Sequence, residues 1–332
     1  MSARRIVLNS FLILGLLLAA YLLYKVFSRY TFDEVLRSID AISASGVGSA
    51  IAFCCLSYLC LTGVDWMALR YVGRPLGYRK AAIASFTALS IGHNLGVAAL
   101  SSGAVRYRFY TRWGLSAEQV AKVILFCGMT VMLGLASLGG ILCLINPVGV
   151  SKLLGVNVDE PFWIGLVVLS LPMAYLILSA TMRSPLQIWK WRFAMPDPRI
   201  AVGQLVIGTS NFTCVAACLH QLLASGSQVS FIQSATAFVL ANVAVLAAHV
   251  PGGLGVLEVT VRAVLPGTAS IGALVAFRVI YFLLPLVLGL SVLAVSEIAF
   301  NREKKKSLNF SGKPPRVASP ASAAGDTAAR GR

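Results

Sequence analysis

Charged residues are scarce in this sequence, and acidic residues are the scarcer kind. Of 332 residues, 12% are Asp, Glu, Lys or Arg, and 28 basic residues stand against 12 acidic ones. Hydrophobic residues make up 58% of the chain. So small a charged fraction in so apolar a chain excludes a water-soluble globular protein and indicates that the lipid bilayer is its solvent.

The sequence also lacks the motifs of catalysis and of metal binding. It contains no HExxH, GxSxG, P-loop or GxGxxG motif and no cluster of carboxylates with metal-ligand spacing. The seven cysteines lie in apolar runs without a CxxC pair, which is typical of buried hydrophobic residues rather than disulfides or metal ligands. We therefore expect no enzyme, no cofactor and no metal site.

Long apolar runs are what the sequence has instead. An α-helix needs about 20 apolar residues to cross the roughly 30 Å hydrocarbon core of a bilayer. Eight runs of about this length occur, and we predict a helix in each. They are residues 6–27, 47–69, 81–100, 120–145, 162–181, 200–223, 231–250 and 269–300.

The positions of Lys and Arg indicate which runs cross, because basic residues collect in cytoplasmic loops. If all eight runs cross, the basic residues at 106–112 and around Lys190 fall outside, against this rule. Both clusters fall inside if 81–100 re-enters from the cytoplasm, with its turn at 101–103, and if 231–265 re-enters from the other side. We therefore predict an all-α polytopic membrane protein with about six full transmembrane helices, two opposed re-entrant hairpins and cytoplasmic termini.

A short internal repeat supports the two hairpins. Residues 85–94 (SFTALSIGHN) resemble residues 234–242 (SATAFVLAN), and in each case an apolar run and a Ser/Gly/Pro break follow. Opposed copies of one unit are typical of inverted-repeat transporters, whose binding site lies at the break. We assign residues 1–300 to one transmembrane domain with half-repeats at about 6–145 and 162–300.

The predicted second hairpin contains the most distinctive motif of the sequence, VPGGLGVLE. Proline has no amide hydrogen and glycine tolerates positive φ, so the chain can break here. The residues of this break are Pro251, Gly252, Gly253 and Gly255. Just beyond it, Glu258 and Arg262 are four residues apart on one helical face and close enough to pair. Ionisable residues at membrane depth are functional candidates, and the alternative is an ion pair that only locks the hairpin.

A basic segment, LSSGAVRYRFYTRW, follows the first hairpin. If a serine caps a helix here, Val105, Phe109 and Trp113 share one face and arginines occupy another, which predicts a helix at the level of the lipid headgroups. Arginine offers phosphate a bidentate fork, and a helix N-terminus adds amide donors. The candidate phosphate-binding residues are Ser102, Gly103, Arg106, Arg108 and Arg112. The alternative is that the arginines only set the topology.

Other polar residues lie inside the apolar runs. Asp65 is five residues before Arg70, and we expect a local pair. Arg278 has no carboxylate among its helical neighbours, so its partner is either Glu258 or an anionic substrate. His93 precedes a break, where we favour a packing role over a proton-linked one.

The C-terminal residues 301–332 form a basic tail that is predicted to be disordered from its composition. Its three lysines, 304–306, would favour an anionic inner leaflet by about 1 kcal/mol each. Membrane lipids are therefore the expected partners, a nucleic acid is unnecessary, and a homo-oligomer is left open.

Two of these stretches carry a resemblance to a known family. LSSGAVRYRFY at 100–110 with GLS at 114–116, and PGGLGVLE at 251–258, resemble the signature stretches of the transmembrane flippase domain of bacterial lysylphosphatidylglycerol synthetase/flippase. Stand-alone relatives of that domain form an inner-membrane family, and the resemblance covers about residues 6–300. It implies movement of an aminoacylated phospholipid between leaflets without the cytosolic synthase domain. Some stand-alone relatives are linked to other lipids, including hopanoids.

We therefore expect a bacterial inner-membrane protein that translocates, or helps to translocate, an amphiphilic lipid. Arg106 and Arg108 would collect a phosphate at the cytoplasmic face, and Glu258, Arg262 and Arg278 would handle headgroup charge further in. The alternative is a non-transporting scaffold that binds lipid or partner proteins for envelope assembly. A transporter of a polar solute also fits broken helices.

Overall fold

The computed structural model of this chain describes residues 33, 40, 42–94, 98–182, 186–188, 191–193, 195–248, 253–267 and 269–311. The first predicted span, 6–27, lies outside these residues. So do Pro251 and Gly252 of the predicted break, and His249 before it.

The described residues are almost entirely helical. The helices are α1 (Ala44–Tyr71), α2 (Tyr78–Gly92), α3 (Ala98–Arg112), α4 (Ala117–Ile145), α5 (Pro147–Leu154), α6 (Glu160–Thr181), α7 (Pro198–Ala224), α8 (Phe231–Ala248), α9 (Val256–Val264), α10 (Ile271–Arg278) and α11 (Leu284–Ser311). A π-helical turn, Val279–Leu283, joins α10 to α11. A small antiparallel hairpin, β1 (Leu186–Ile188) and β2 (Trp191–Phe193), lies between α6 and α7. The predicted all-α polytopic membrane fold is confirmed.

Six helices in the described part are long and apolar enough to cross a membrane. They are α1, α4, α6, α7, α8 and the continuous stretch Ile271–Phe300. Five of them coincide with predicted crossings. The sixth, α8, is the run that we placed in the second re-entrant hairpin. Its 18 residues span about 27 Å, so re-entry of this segment stays a prediction.

Two pairs of consecutive helices pack against each other, and we call them the first and the second hairpin. Helices α2 and α3 have 15 residues each, which is about 22 Å and too short to cross, and they pack against each other. In the second hairpin α8 packs against the 9-residue α9. Helix α2 ends at Gly92 and α3 begins at Ala98, and α8 ends at Ala248 and α9 begins at Val256.

The first break differs from its predicted position. A turn at 101–103 was expected, but these residues lie inside α3. Ser102 and Gly103 are buried, and a Cβ at Gly103 would come within 3.2 Å of Ile124 Cδ1 on α4. These small residues therefore allow close helix packing, as they commonly do in membranes, whereas α2 ends at Gly92 and residues 93 and 94 are in a turn.

A unit of long helix, hairpin and long helix occurs twice in the element order. The first copy is α1 to α4, and the second runs from α7 to α11. Corresponding helices begin at residues 44 and 198, 78 and 231, 98 and 256, and 117 and 271, a separation of 153 to 158 residues. If α1, α4 and α6 each cross, α7 crosses in the direction opposite to α1, as an inverted repeat requires.

Close contacts at glycines bring the central helices together. A Cβ on Gly208 of α7 would come within 2.7 Å of the main-chain oxygen of Thr130 on α4, and a Cβ on Gly134 would overlap the Gly208 backbone. Half of the apolar window of α7 is buried, compared with 17% of that of α6. Helix α7 is therefore central, and most of α6 is free to face lipid.

The described residues up to Leu290 form one compact unit, and those from Ser291 onward form a second. In this second unit α11 continues through the three lysines at 304–306 to Ser311. The basic stretch therefore begins as a helix. Residues 312–332 lie outside the described residues, and their disorder stays a prediction.

Candidate functional site

The first hairpin is held to α1 by a buried ion pair. Arg106 of α3 donates from Nε to Asp65 Oδ1 at 2.9 Å and from Nη2 to Oδ2 at 2.7 Å. The Asp65 side chain is fully buried and the Arg106 side chain is 3% exposed. A bidentate pair of this kind combines two charge-assisted hydrogen bonds with a fixed orientation.

Three further donors contact the Asp65 carboxylate, and one of them is the Cys127 thiol, 3.7 Å from Oδ2. The Tyr110 hydroxyl donates to Oδ1 at 2.7 Å and the Ser85 hydroxyl donates to Oδ2 at 2.6 Å. The expected local pair with Arg70 is therefore wrong. Residues five apart on an α-helix point in different directions, and the Arg70 guanidinium instead lies 3.6 Å from the centre of the Trp66 ring.

The second hairpin contains the second ion pair. Arg278 of α10 donates from Nε to Glu258 Oε1 at 2.6 Å and from Nη2 to Oε2 at 3.0 Å. It also donates from Nη2 to the main-chain oxygen of Gly253 at 2.8 Å. Of the two partners that the sequence offered for Arg278, the structure selects Glu258. The predicted contact between Glu258 and Arg262 is wrong.

The local geometry of α9 explains this change of partner. Glu258 lies in the first turn of α9 and accepts a hydrogen bond of 2.9 Å from the Gly255 amide, so it points back toward the break. Gly253 and Gly255 have φ angles of +59° and +84°, which favour glycine. Arg262 lies in the last turn and is exposed.

One turn of the last helix links the two breaks. The Asn94 side chain donates from Nδ2 to the main-chain oxygen of Phe282 in the π-helical turn, at 3.2 Å, and to that of Ser90 at 2.9 Å. The Arg278 guanidinium lies 5.1 Å from the centre of the Phe282 ring. We call the contacts among Asn94, Phe282, Arg278 and Glu258 the junction. It connects the tip of one hairpin to the ion pair of the other.

The remaining predicted residues of α3 lie on two different faces. Val105 and Phe109 are buried, with 9% and 1% exposed, so the aromatic face predicted for the headgroup region packs inside the protein. Arg106 belongs to that buried face. Arg108 is half-buried and Arg112 is exposed. The structure therefore separates Arg106 from the other two arginines, whose role in phosphate binding stays a prediction.

A small cavity adjoins the first ion pair. Its volume is about 30 Å³, and Asp65, Arg106, Thr130 and Asn211 contribute polar groups to an otherwise apolar lining. This volume holds about one or two water molecules. Among the residues that the structure describes, no group of three or more His, Cys, Asp or Glu side chains could hold a metal ion.

Sequence reasoning missed several residues of this site. Asp65, Ser85 and Tyr110 had no assigned role in binding, and the π-helical turn was not predicted. A usable signal existed for Asp65, because a lone carboxylate inside an apolar run needs a cationic partner, and Arg106 was available. No local signal indicated the contact between Asn94 and Phe282, which are 188 residues apart.

Taken together, these features define a polytopic α-helical membrane protein. No family model matches the chain. It is 30% identical over 282 residues to the "Uncharacterized protein slr0712" of Synechocystis sp. (strain ATCC 27184 / PCC 6803 / Kazusa), an alignment that covers 84% of this chain and 88% of the relative. The chain therefore belongs to the same protein family as slr0712.

A second relative is named as an inner membrane protein. The "Inner membrane protein YbhN" of Escherichia coli (strain K12) is 27% identical over 281 residues, which are 82% of this chain and 87% of YbhN. The similarity to an inner membrane protein agrees with the six apolar helices.

Proposed function

We propose that this protein moves an amphiphilic lipid with an anionic or aminoacylated headgroup between the two leaflets of the bacterial inner membrane. The resemblance to the flippase domain of lysylphosphatidylglycerol synthetase/flippase, described above, supports this choice of substrate class. The similarity to YbhN supports the choice of membrane.

The observation that carries the proposal is the junction of the two hairpins, one with a buried ion pair and the other with a partly buried one. A buried ion pair contributes little net stability, because desolvation offsets the attraction between the charges. Charges at membrane depth mark substrate pathways in many transport proteins. Two such pairs beside breaks in the backbone therefore favour a path for a charged headgroup over a purely structural role.

The described arrangement corresponds to a closed state. A lipid headgroup is larger than the cavity beside Asp65 and Arg106, with its volume of about 30 Å³. Transport in this scheme requires the hairpins to move apart. Arg106 and Arg278 then exchange a carboxylate for a lipid phosphate, which offers the same bidentate geometry.

The outer arginines of α3 act before this step. Arg108 and Arg112 attract an anionic headgroup to the cytoplasmic face, where the positive-inside rule places them. Arg262 of α9, which is exposed, has the corresponding role beside the second hairpin. The termini lie in the cytoplasm, and the basic C-terminal residues hold the tail near anionic lipids.

Reconstitution of the full chain into liposomes tests the proposal. Fluorescent phosphatidylglycerol and lysylphosphatidylglycerol are placed in both leaflets, and the fraction accessible to an impermeant quencher is followed over time. We expect both lipids to cross faster than in empty vesicles. Equal rates with and without the protein, for these lipids and for a hopanoid, would contradict the proposal.

A pair of double variants separates a transporter from a scaffold. E258Q/R278Q removes both charges of the second ion pair. E118Q/K122Q removes the more exposed pair within α4, whose charged atoms are 2.8 Å apart. We expect E258Q/R278Q to remain folded and to lose lipid movement, whereas E118Q/K122Q keeps it. If both folded variants retain full lipid movement, the second ion pair has only a structural role.

A further inference from the structure

Three aromatic rings surround the histidine at the tip of the first hairpin. His93 follows α2 directly, and its ring centre lies 6.2 Å from that of Tyr281, 6.3 Å from that of Tyr58 and 6.5 Å from that of Phe282. The Tyr281 ring is stacked on the imidazole, with 17° between the planes. Aromatic faces at about this distance stabilise a cation.

Two polar atoms in this cluster have no partner within the described part of the chain. The Nδ1 atom of His93 and the hydroxyl of Tyr58 are both buried and make no hydrogen bond. Tyr58 is only 6% exposed. A buried polar group without a hydrogen bond costs about 1–3 kcal/mol, so two of them in one cluster require an explanation.

Neighbouring polar groups in the same region are satisfied. The Tyr281 hydroxyl is 3.0 Å from that of Ser57, and Ser57 donates to Asn211 Oδ1 at 2.7 Å. Asn94, the residue after His93, donates one hydrogen bond to Ser90 and one to Phe282. The unpaired atoms are therefore confined to His93 and Tyr58 within this group of contacts.

The charges around His93 explain why its ring is neutral in the closed state. The titratable groups facing it are Tyr58 of α1, Tyr281 of the π-helical turn and Arg106 of α3, and Cys54 lies beside Tyr58. Arg106 is a cation and occupies the Asp65 carboxylate. Glu258 is occupied by Arg278. In the residues described here, neither of these carboxylates is left to balance an imidazolium.

We propose that His93 is a proton-binding site that couples lipid movement to the proton gradient. When the hairpins open, water reaches the imidazole, and a proton from the aqueous phase adds to its free nitrogen. Tyr58 then accepts a hydrogen bond from the imidazolium through its hydroxyl oxygen, and the Tyr281 face stabilises the charge. Closure removes the water, and the proton returns to water on the side that opens next. This inference rests on the proposed lipid movement.

The transport test uses the same liposomes with a pH gradient of about one unit in either direction, within the pH range of about 5–8 in which imidazole titrates. We expect the rate of fluorescent phosphatidylglycerol movement to change with the direction of the gradient, by up to the roughly tenfold difference in proton activity. The variant H93Q should move lipid at a rate independent of the gradient. The control H220Q alters a histidine that contacts Ser234 instead, and it should keep the dependence.

A second measurement does not depend on transport. Hydrogen–deuterium exchange at the imidazole C2 position, read by mass spectrometry, reports the protonation of each histidine in the full chain in liposomes. We expect the exchange at His93 to change with pH, and we expect the Y58F variant to shift that pH dependence.

The outcomes distinguish the two proposals. If the unmodified protein moves lipid at a rate that does not depend on the pH gradient, proton coupling is overturned. The proposed lipid movement is then unaffected. If no lipid moves, the proposed function fails and the exchange measurement decides the proton site. Titration of His93 that shifts in Y58F then supports the site, and exchange that does not change with pH overturns it.

Discussion

The Asn94 side chain donates a hydrogen bond of 3.2 Å to the main-chain oxygen of Phe282, a residue 188 positions later in the chain. This contact joins the tip of the first hairpin to the π-helical turn. The second hairpin reaches the same turn through Glu258 and Arg278. The two copies of the repeated unit therefore contact each other at this π-helical turn.

We expect the variant N94L to loosen this contact without unfolding the protein. Loss of one hydrogen bond costs about 0.5–1.5 kcal/mol, so amide hydrogen exchange at residues 89–94 and 279–283 should accelerate by about tenfold at most. The matched control is N242L, because Asn242 donates only to Phe238 within its own helix, α8. Equal exchange at 279–283 in N94L and in the unmodified protein would contradict the prediction.

The buried ion pair between Asp65 and Arg106 predicts that a single substitution lowers the stability of the protein more than a double substitution does. D65N leaves the Arg106 charge buried without a counter-charge, and we expect the free energy of unfolding in detergent to fall by about 3–5 kcal/mol. The apolar double variant D65L/R106M should recover most of this loss, because it leaves no unpaired charge. The exposed control E118Q should cost at most about 1 kcal/mol. A D65N protein as stable as E118Q would show that the pair is not buried in solution.

The close contact between α4 and α7 predicts that alanine lowers the stability of the protein at one glycine of α4 but not at another. G134A places a Cβ against the Gly208 backbone, and we expect a loss of about 1–3 kcal/mol in the free energy of unfolding. In G128A the new Cβ meets nothing within 4 Å, so stability should be unchanged or rise by up to about 1 kcal/mol. Thermal unfolding in detergent measures both, and similar losses in the two variants would exclude the close approach.

The topology predicts on which side engineered cysteines react. In a background without the seven native cysteines, R108C should react with an impermeant maleimide only when the cytoplasmic face is accessible, because basic clusters lie inside. K152C, in the exposed part of α5, should react from the periplasm. Reaction of R108C from the periplasm would mean that residues 81–100 cross the membrane.

Sequence reasoning located the long helices well because hydropathy over some 20 residues is a local property of the chain. The predicted run 120–145 became α4 at Ala117–Ile145, and the predicted run 200–223 became α7 at Pro198–Ala224. Two residues of the predicted second break, Gly253 and Gly255, do have positive φ angles, as their residue type favours. Each of these predictions depended on neighbours in sequence.

The partners of the buried charges could not be found in the same way. Asp65 and Glu258 were matched with Arg70 and Arg262, which are near in sequence, whereas their partners are 41 and 20 residues away. Helical periodicity describes one helix and carries no information about which neighbouring helix covers a face. The contacts of Asp65 became visible only once α3 was placed against α1.

The π-helical turn at Val279–Leu283 also sets a requirement on chain length. A π turn accommodates about one residue more than an α turn, and each residue of an α-helix rotates the chain by about 100°. Deletion of one residue here would restore an α-helix and rotate Gly289 away from Ser90, against which a side chain at 289 would overlap. The register between the two halves of this protein is thus fixed by the number of residues in one turn, independently of which side chains that turn carries.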